Sequence, residues 1–283
     1  MQEHLLDYFQ KQHHHLEHYL ALCFDTPDDE VVHQLRVSIK RIRAIFLFTE
    51  QLAGSENFNA SLHYKPLRGL FRMAGAIRDV QVQQKLVAEY AASLNLPFNI
   101  YLQHLGGLEK SSISLFFMDI EQDKTPHNLH SIRHLIEHAI SSITKDEIKT
   151  KTIQLLADQC GELRMSLDDI PGNSQLHRMR TIIKQMRYIM SVIRKSDPSA
   201  SGFPISLASL TEAEVLLGKW HDRIVGIELL KDFRKNIRKL HETESENYNT
   251  LTIALDVDQR ILRAKLRKSL GKALTTPAGT KQK

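Results

Sequence analysis

Acidic residues are missing from two stretches of this 283-residue chain: none stands between Val31 and Thr49, and none between Pro171 and Ser196. A solvated helix ordinarily interleaves acids with bases, because like charges at i,i+4 repel, so neither stretch reads as a plain surface helix. Cysteine is scarce as well. Two residues, Cys23 and Cys160, exclude a disulfide framework and suit a reducing compartment, so a cytoplasmic protein is expected. No stretch approaches the ~18 apolar residues of a membrane span, and the opening MQEHLLDYFQKQHHHLEHYL lacks the apolar centre of a signal peptide. Aromatic residues make up 7% of the chain, with Trp220 the single tryptophan. That leaves no stacking platform of the kind that reads single-stranded nucleic acid. There is no P-loop, no acidic metal pair and no nucleophile elbow, and HExxH and CxxC are absent. The sequence therefore predicts no enzyme, no cofactor and no metal centre.

What the chain does have is a one-sided pattern of bases. His33, Arg36, Lys40 and Arg43 stand at offsets 0, 3, 7 and 10 in HQLRVSIKRIRAI. His177, Arg180, Lys184 and Arg187 repeat those offsets in HRMRTIIKQMRYI. At about 100° per residue each set occupies an arc of roughly 80°, a stripe about three turns long. Leu35, Ile39, Ile42 and Phe46 form the apolar face of the first helix, and Met179, Ile182, Ile183, Met186 and Met190 that of the second. Both stripes lie beside the apolar face, where a helix meets its neighbours, and not opposite it. Cationic stems lying over apolar surface explain one such stripe well. Two in matching register point to an anionic partner.

The repeat extends further. Gly75, Arg78 and Asp79 in AGAIRDV are echoed by Gly218, His221 and Asp222 in LGKWHDR, and the distances from His33 to Asp79 and from His177 to Asp222 differ by one residue. The unit is a stripe helix followed by a second helix with Gly-x-x-[Arg/His]-Asp, so an internal duplication is expected. Gly75 and Gly218 mark either a close backbone approach or merely tolerated helix glycines. Asp79 and Asp222 are expected to hold a neighbouring Arg or His in place and not to touch an anion. Lys65, Arg68 and Arg72 share the face of Gly75 and extend the basic lining in the first unit only, since Ala208, Thr211 and Val215 stand at the matching positions of the second.

Period-3.6 patterning dominates, and strand-like alternation is scarce. Helices are expected near residues 3–22, from Thr26 (N-cap) and Pro27 to about Gln51, from about 60 to Leu94, and at 99–120, 128–142 and 145–168. Others are expected from Pro171 to about 196, over 206–244 with a break, and over 248–272. The residues 273–283 read as a disordered tail. The hydroxyl of Tyr188, at the edge of the second stripe, is placed either to donate to the anion or to pack at a helix interface. Lys231, Arg234 and Arg238, and likewise Arg260, Arg263 and Arg267, repeat the one-face spacing. They lie near acids or helix ends, and a solvated face is preferred for them. His33 and His177 read either as donors to the anion at the stripe ends or as histidines satisfied by a carbonyl.

The paired signature HxxRxxxKRxR…GxxRD and HxxRxxxKxxRY…GxxHD resembles the CHAD family, histidine-containing α-helical domains that bind inorganic polyphosphate. The resemblance covers residues from about 5 to about 272. It implies an all-α fold of two four-helix bundles related by a pseudo-twofold axis around a basic groove or pore. On this reading residues 1–272 form one domain of two repeats, about 1–125 and 126–272. It further implies non-enzymatic polyphosphate binding by His33, Arg36, Lys40, Arg43, Lys65, Arg68, Arg72, Arg78, His177, Arg180, Lys184, Arg187, Tyr188 and His221, with polyphosphate granules as the expected location. Nucleic acid is expected only as a weaker polyanion; a phosphoester-processing enzyme is the other alternative.

Overall fold

The computed structural model describes residues 2–122, 129–168, 172–196, 202–237 and 242–275. Among these residues the only regular structure is helical, joined by short turns: α1 (Gln2–Asp25), α2 (Asp29–Ala53), α3 (Ala60–Leu94), α4 (Asn99–Gln122), α5 (Leu129–Ile140), α6 (Lys145–Asp168), α7 (Asn173–Ser196), α8 (Leu207–Asn236) and α9 (Glu242–Thr275). The all-α class expected from periodicity is the class observed.

Local chemistry sets most boundaries. Thr144 and Glu147 form a reciprocal capping box that starts α6: the Glu147 carboxylate accepts from the Thr144 amide at 2.8 Å, and the Thr144 hydroxyl accepts from the Glu147 amide at 3.2 Å. Asn59 caps α3 by accepting from the Leu62 amide at 2.9 Å, and Asn95 ends that helix in the left-handed region at φ 52°.

Three expected boundaries are corrected. The cap of α2 is Asp28, whose carboxylate accepts from the Val31 amide at 2.8 Å, and not Thr26. Thr26 is already engaged at the end of α1, its amide donating to the Leu22 carbonyl at 2.9 Å. The second correction is α9, which begins at Glu242 and not near 248. Tyr248, 2% exposed, is buried within its first turns against Phe98, Tyr101 and Phe233. Third, α9 runs on to Thr275, where buried Leu274 offers its carbonyl to Arg164. The rest of the expected tail, 276–283, lies outside the described residues, as do the loop stretches 123–128 and 197–201.

Chain neighbours pack in order, α1 on α2, α2 on α3 and α3 on α4, then α6 on α7, α7 on α8 and α8 on α9, while α5 covers α1 and α2. The main core draws on helices from both ends of the chain, Leu5 to Leu274. A second core joins the far ends of the α3–α4 and α8–α9 hairpins through Val80, Tyr90, Phe98, Tyr101, Phe233 and Tyr248. The two halves of the sequence thus share their apolar interior. Leu35, Ile39, Ile42 and Phe46 on α2, and Met179, Ile183, Met186 and Met190 on α7, are fully buried. Each contributes about 1.5–3 kcal/mol by leaving water, and together they fix how the two stripe helices are turned.

Candidate anion-binding site

Anchored by those faces, α2 and α7 pack against each other, and α3 packs against α8 behind them. The two basic stripes therefore converge on one seam. Arg36, Lys40, Arg180 and Lys184 all lie partly buried there, close enough for each lysine to feel the cations of the opposite helix. Burial, and then the charges of Arg36 and Arg180, pull Lys40 down to about 7, with Glu214 and Asp79 opposing. Burial, and then Lys40 and Arg180, pull Lys184 down to about 6. Desolvation penalises each charged form, and like charge adds to the penalty.

Arg36 is held at two points. Its Nη1 donates to the Phe71 carbonyl at 2.9 Å, and its guanidinium stacks 4.4 Å from the Phe71 ring centre. The Lys40 Nζ stands over the same ring at 5.8 Å. Gly75 makes this possible, since a Cβ there would lie 2.3 Å from Nη1 of Arg36. A Cβ on Gly218 meets nothing within 4 Å, so that glycine is simply tolerated. Gly75→Ala should displace the Arg36 guanidinium and weaken anion binding about tenfold, the worth of one charge-assisted hydrogen bond. Gly218→Ala should bind like the wild type in the same titration.

The acids balance this field from a distance. Burial raises the Asp79 carboxyl while Arg36, Lys40 and Arg180 work to lower it. Asp222 behaves alike, with Arg180 and Arg223 as its cations. Neither carboxylate makes an ion pair among the described residues, so both act through their field and not as clamps on an Arg or His. The backbone carbonyl of Asp222 accepts from Gln83 Nε2 at 2.7 Å, tying α8 to α3. Glu214 went unnoticed in the sequence. It pairs with Arg187 and reaches Lys40, Lys184 and Arg180 electrostatically. Its signal was there to find: Glu214, Gly218 and Asp222 stand at i, i+4 and i+8 on one face.

The remaining expected residues divide. Arg43 is exposed over the Tyr64 ring at 5.0 Å, and Lys65, Arg68 and Arg72 are exposed on α3, so they stand at the surface and are not buried with the four seam cations. Arg78 is already occupied: it binds the carboxylate of Asp29, which Lys85 also contacts at 2.7 Å. His33 is half-buried, with its pKa lowered by burial and then by Arg78. Tyr188 takes the second of its two expected places, packed at a helix interface. It is 6% exposed and lines a small cavity with Tyr8 and Arg41 between α1, α2 and α7, because burying its ring outweighs showing its hydroxyl to solvent.

At the α7 end, His177 is exposed with its ring 5.2 Å from that of His221 and 5.0 Å from that of Trp220. Burial, then Arg180 and His177, push His221 down to about 3. Of the six bases assigned to solvated faces, Arg263 is brought beside this cluster, its guanidinium 5.9 Å from the Trp220 ring centre. Arg260 pairs with Asp256 at 2.6 Å, Lys231 and Arg267 are exposed, Arg234 lies in the last turn of α8, and Arg238 is outside the described residues. Among the described residues no group of three or more His, Cys, Asp or Glu is arranged to hold a metal, and no helix is long and apolar enough to cross a membrane.

Fold and site together define an all-α protein with two cationic helices pressed into one partly buried seam. The sequence pattern of the CHAD domain family matches residues 7–231, and the chain belongs to that family. Its fold is similar to the crystal structure of the CHAD domain from the plant Ricinus communis, with a TM-score of 0.69, 18% identity, and 98% of this chain and 93% of that one covered. It is equally similar to PptA from Streptomyces chartreusis, at TM-score 0.69, 15% identity, and 98% and 99% covered. Comparison with curated proteins finds no match.

Proposed function

We propose that this protein binds inorganic polyphosphate without transforming it, along one continuous site shared by both halves of a duplicated chain. The observation that carries the reading is the convergence of Arg36, Lys40, Arg180 and Lys184, with two lysines held near or below neutrality. An unoccupied seam of this kind is electrostatically unfavourable, and a linear polyanion relieves it. Polyphosphate offers regularly spaced oxygens and no bases, so cations at helical intervals suffice, arginine giving forked contacts and lysine a point charge. Arg43, Lys65, Arg68 and Arg72 extend the path outward, and membership of the CHAD family supports this ligand over nucleic acid. Association with polyphosphate granules follows from the same reading.

A competition titration tests this. Long-chain polyphosphate should displace a labelled chain far better than DNA or heparin of equal total charge. By analogy with single-stranded nucleic acid, about six neutralised phosphates give a log–log salt slope near −4, hence roughly a few-hundred-fold loss between 50 and 200 mM salt. Equal competition by all three, or an affinity flat with salt, would reduce the site to a generic basic surface. Incubation with Mg²⁺ or Mn²⁺ and polyphosphate should release no phosphate above background; turnover lost on substituting Asp79, Asp222 or Glu214 would make the protein a phosphohydrolase.

A further inference from the structure

The two ends of the basic lining are not equivalent. Asp29 and Asn173 occupy the same place in the repeat, four residues before His33 and His177. At the α2 end the Asp29 carboxylate sits on Arg78 and Lys85, so the chain supplies its own anion. At the α7 end the matching side chain is a neutral amide, and Asn173 merely accepts from Arg263. No carboxylate pairs with Arg263 among the described residues, and its guanidinium also donates to Gln259 Oε1 at 3.4 Å.

Several donors around that second end lack an acceptor among the described residues: the buried indole N–H of Trp220, Nε of Arg263 and Nε of Arg180, together with Nδ1 of His221. Trp220 is 1% exposed, and a buried donor without a partner carries a free-energy cost that a bound acceptor removes. Exposed His177 meets the Trp220 and His221 rings edge-on, and the Arg263 guanidinium lies 5.9 Å from the indole ring centre. Donors collected this way at the end of a cationic stripe suit a phosphate group.

We propose that the cluster of His177, Trp220, His221 and Arg263 is a subsite for the terminal phosphate of a polyphosphate chain, whereas the α2 end, sealed by Asp29, accepts none. The proposal rests on the polyphosphate reading of the seam. A terminal phosphate differs from an interior one in having three non-bridging oxygens and a second proton that titrates near neutrality, at about 6 in phosphate monoesters. Arginine and an indole N–H can only donate, but a neutral imidazole donates from one nitrogen and accepts at the other. The cluster can thus match a partly protonated chain end in a way that a row of lysines cannot. Bound chains acquire a direction, one end docked at α7 and the rest running along the seam.

The test compares medium-length polyphosphate with free ends against the same chains capped at both ends as alkyl phosphoramidates, each titrated into the intact protein. Wild type should prefer free-ended chains about tenfold, one charge-assisted hydrogen bond's worth. Arg263→Met should erase that preference while binding capped chains as the wild type does. Trp220→Phe, which removes only the indole N–H and part of the ring, should reduce the preference in the same direction. Equal wild-type affinity for free and capped chains overturns the subsite while leaving the seam reading intact, as does an undiminished preference in Arg263→Met. Binding of neither ligand overturns the seam reading, and the subsite with it.

Discussion

In a fluorescence titration, Lys184→Glu should bind polyphosphate at least about a hundredfold more weakly than the wild type and should melt at a higher temperature. Loss of function with gain of stability is the signature of a site that stores like-charge repulsion. Lys184 is buried beside Lys40, Arg180 and Arg36, with Glu214 the opposing acid. Glutamate at this position meets the permanent cations Arg36 and Arg180 and draws a proton back onto Lys40, against the single acid Glu214, so the free protein gains attraction where a largely neutral lysine stood. The polyanion meets a negative charge midway along its path. A rise of about 2 °C or more is expected, since each kcal/mol is worth about 2–4 °C in a chain of this size. Lys40→Glu should do likewise, and Lys110→Glu, at an exposed position in the middle of α4, should alter neither quantity. Calorimetry adds the stoichiometry. One shared site keeps the number of chains bound per protein while affinity falls in each mutant. Half the stoichiometry at native affinity would mean two independent sites, and native binding in both mutants would remove the polyphosphate assignment.

The second large effect is a proton taken up on binding. At pH 7.5 lysines titrating at about 7 and about 6 are mostly neutral in the free protein, and a polyanion restores their charge. Between about one and two protons should therefore be absorbed per protein. The number is read from the apparent enthalpy of binding in buffers of different ionisation enthalpy. No dependence on buffer would show that the lysines are already charged. The same shifts fix the sign for stability. The folded lysines titrate below the ordinary value of 10.5, so between about pH 6 and 10 the unfolded chain holds more protons, and stability must rise with pH. His221, lowered to about 3, adds to the rise as pH climbs toward 6.5. Asp79 and Asp222, raised by burial from the ordinary 3.8, act oppositely as pH climbs from that value. Cys23 at about 12 and Cys160 at about 11 oppose the rise from about pH 9, where the unfolded thiols ionise first. The free protein should accordingly melt higher at pH 8 than at pH 6, and polyphosphate should raise the melting temperature most at pH 6, where the seam's cations repel most strongly.

Sequence alone determined what depends on one helix at a time. The 3.6-residue spacing of Leu35, Ile39, Ile42 and Phe46 settles which face of α2 is buried. The same periodicity places Arg36 and Lys40 on a stripe beside that face, whatever the rest of the chain does. The capping chemistry of Thr144-Lys145-Asp146-Glu147 and the break at Asn95 are equally local. Family membership was legible for the same reason, because order and spacing along the chain carry it.

Only the tertiary structure decided which cations remain free, since that depends on what a neighbouring helix brings to the same spot. Arg36 and Arg78 look alike on the wheel, yet one is held open beside Gly75 while the other is taken by Asp29 across the α2–α3 packing. Gly75 and Gly218 occupy matching places in the two sequence motifs, and only at Gly75 does a neighbouring side chain, Arg36, fill the space a Cβ would take. Tyr188 disappeared into the α1–α2–α7 interface, and Arg263, indistinguishable by spacing from Arg260 and Arg267, came to rest against Trp220. Periodicity gives each side chain a direction. Whether that direction ends in water, on a carboxylate or against a like charge is set by long-range packing, where burial and Coulomb energies act between residues far apart in sequence.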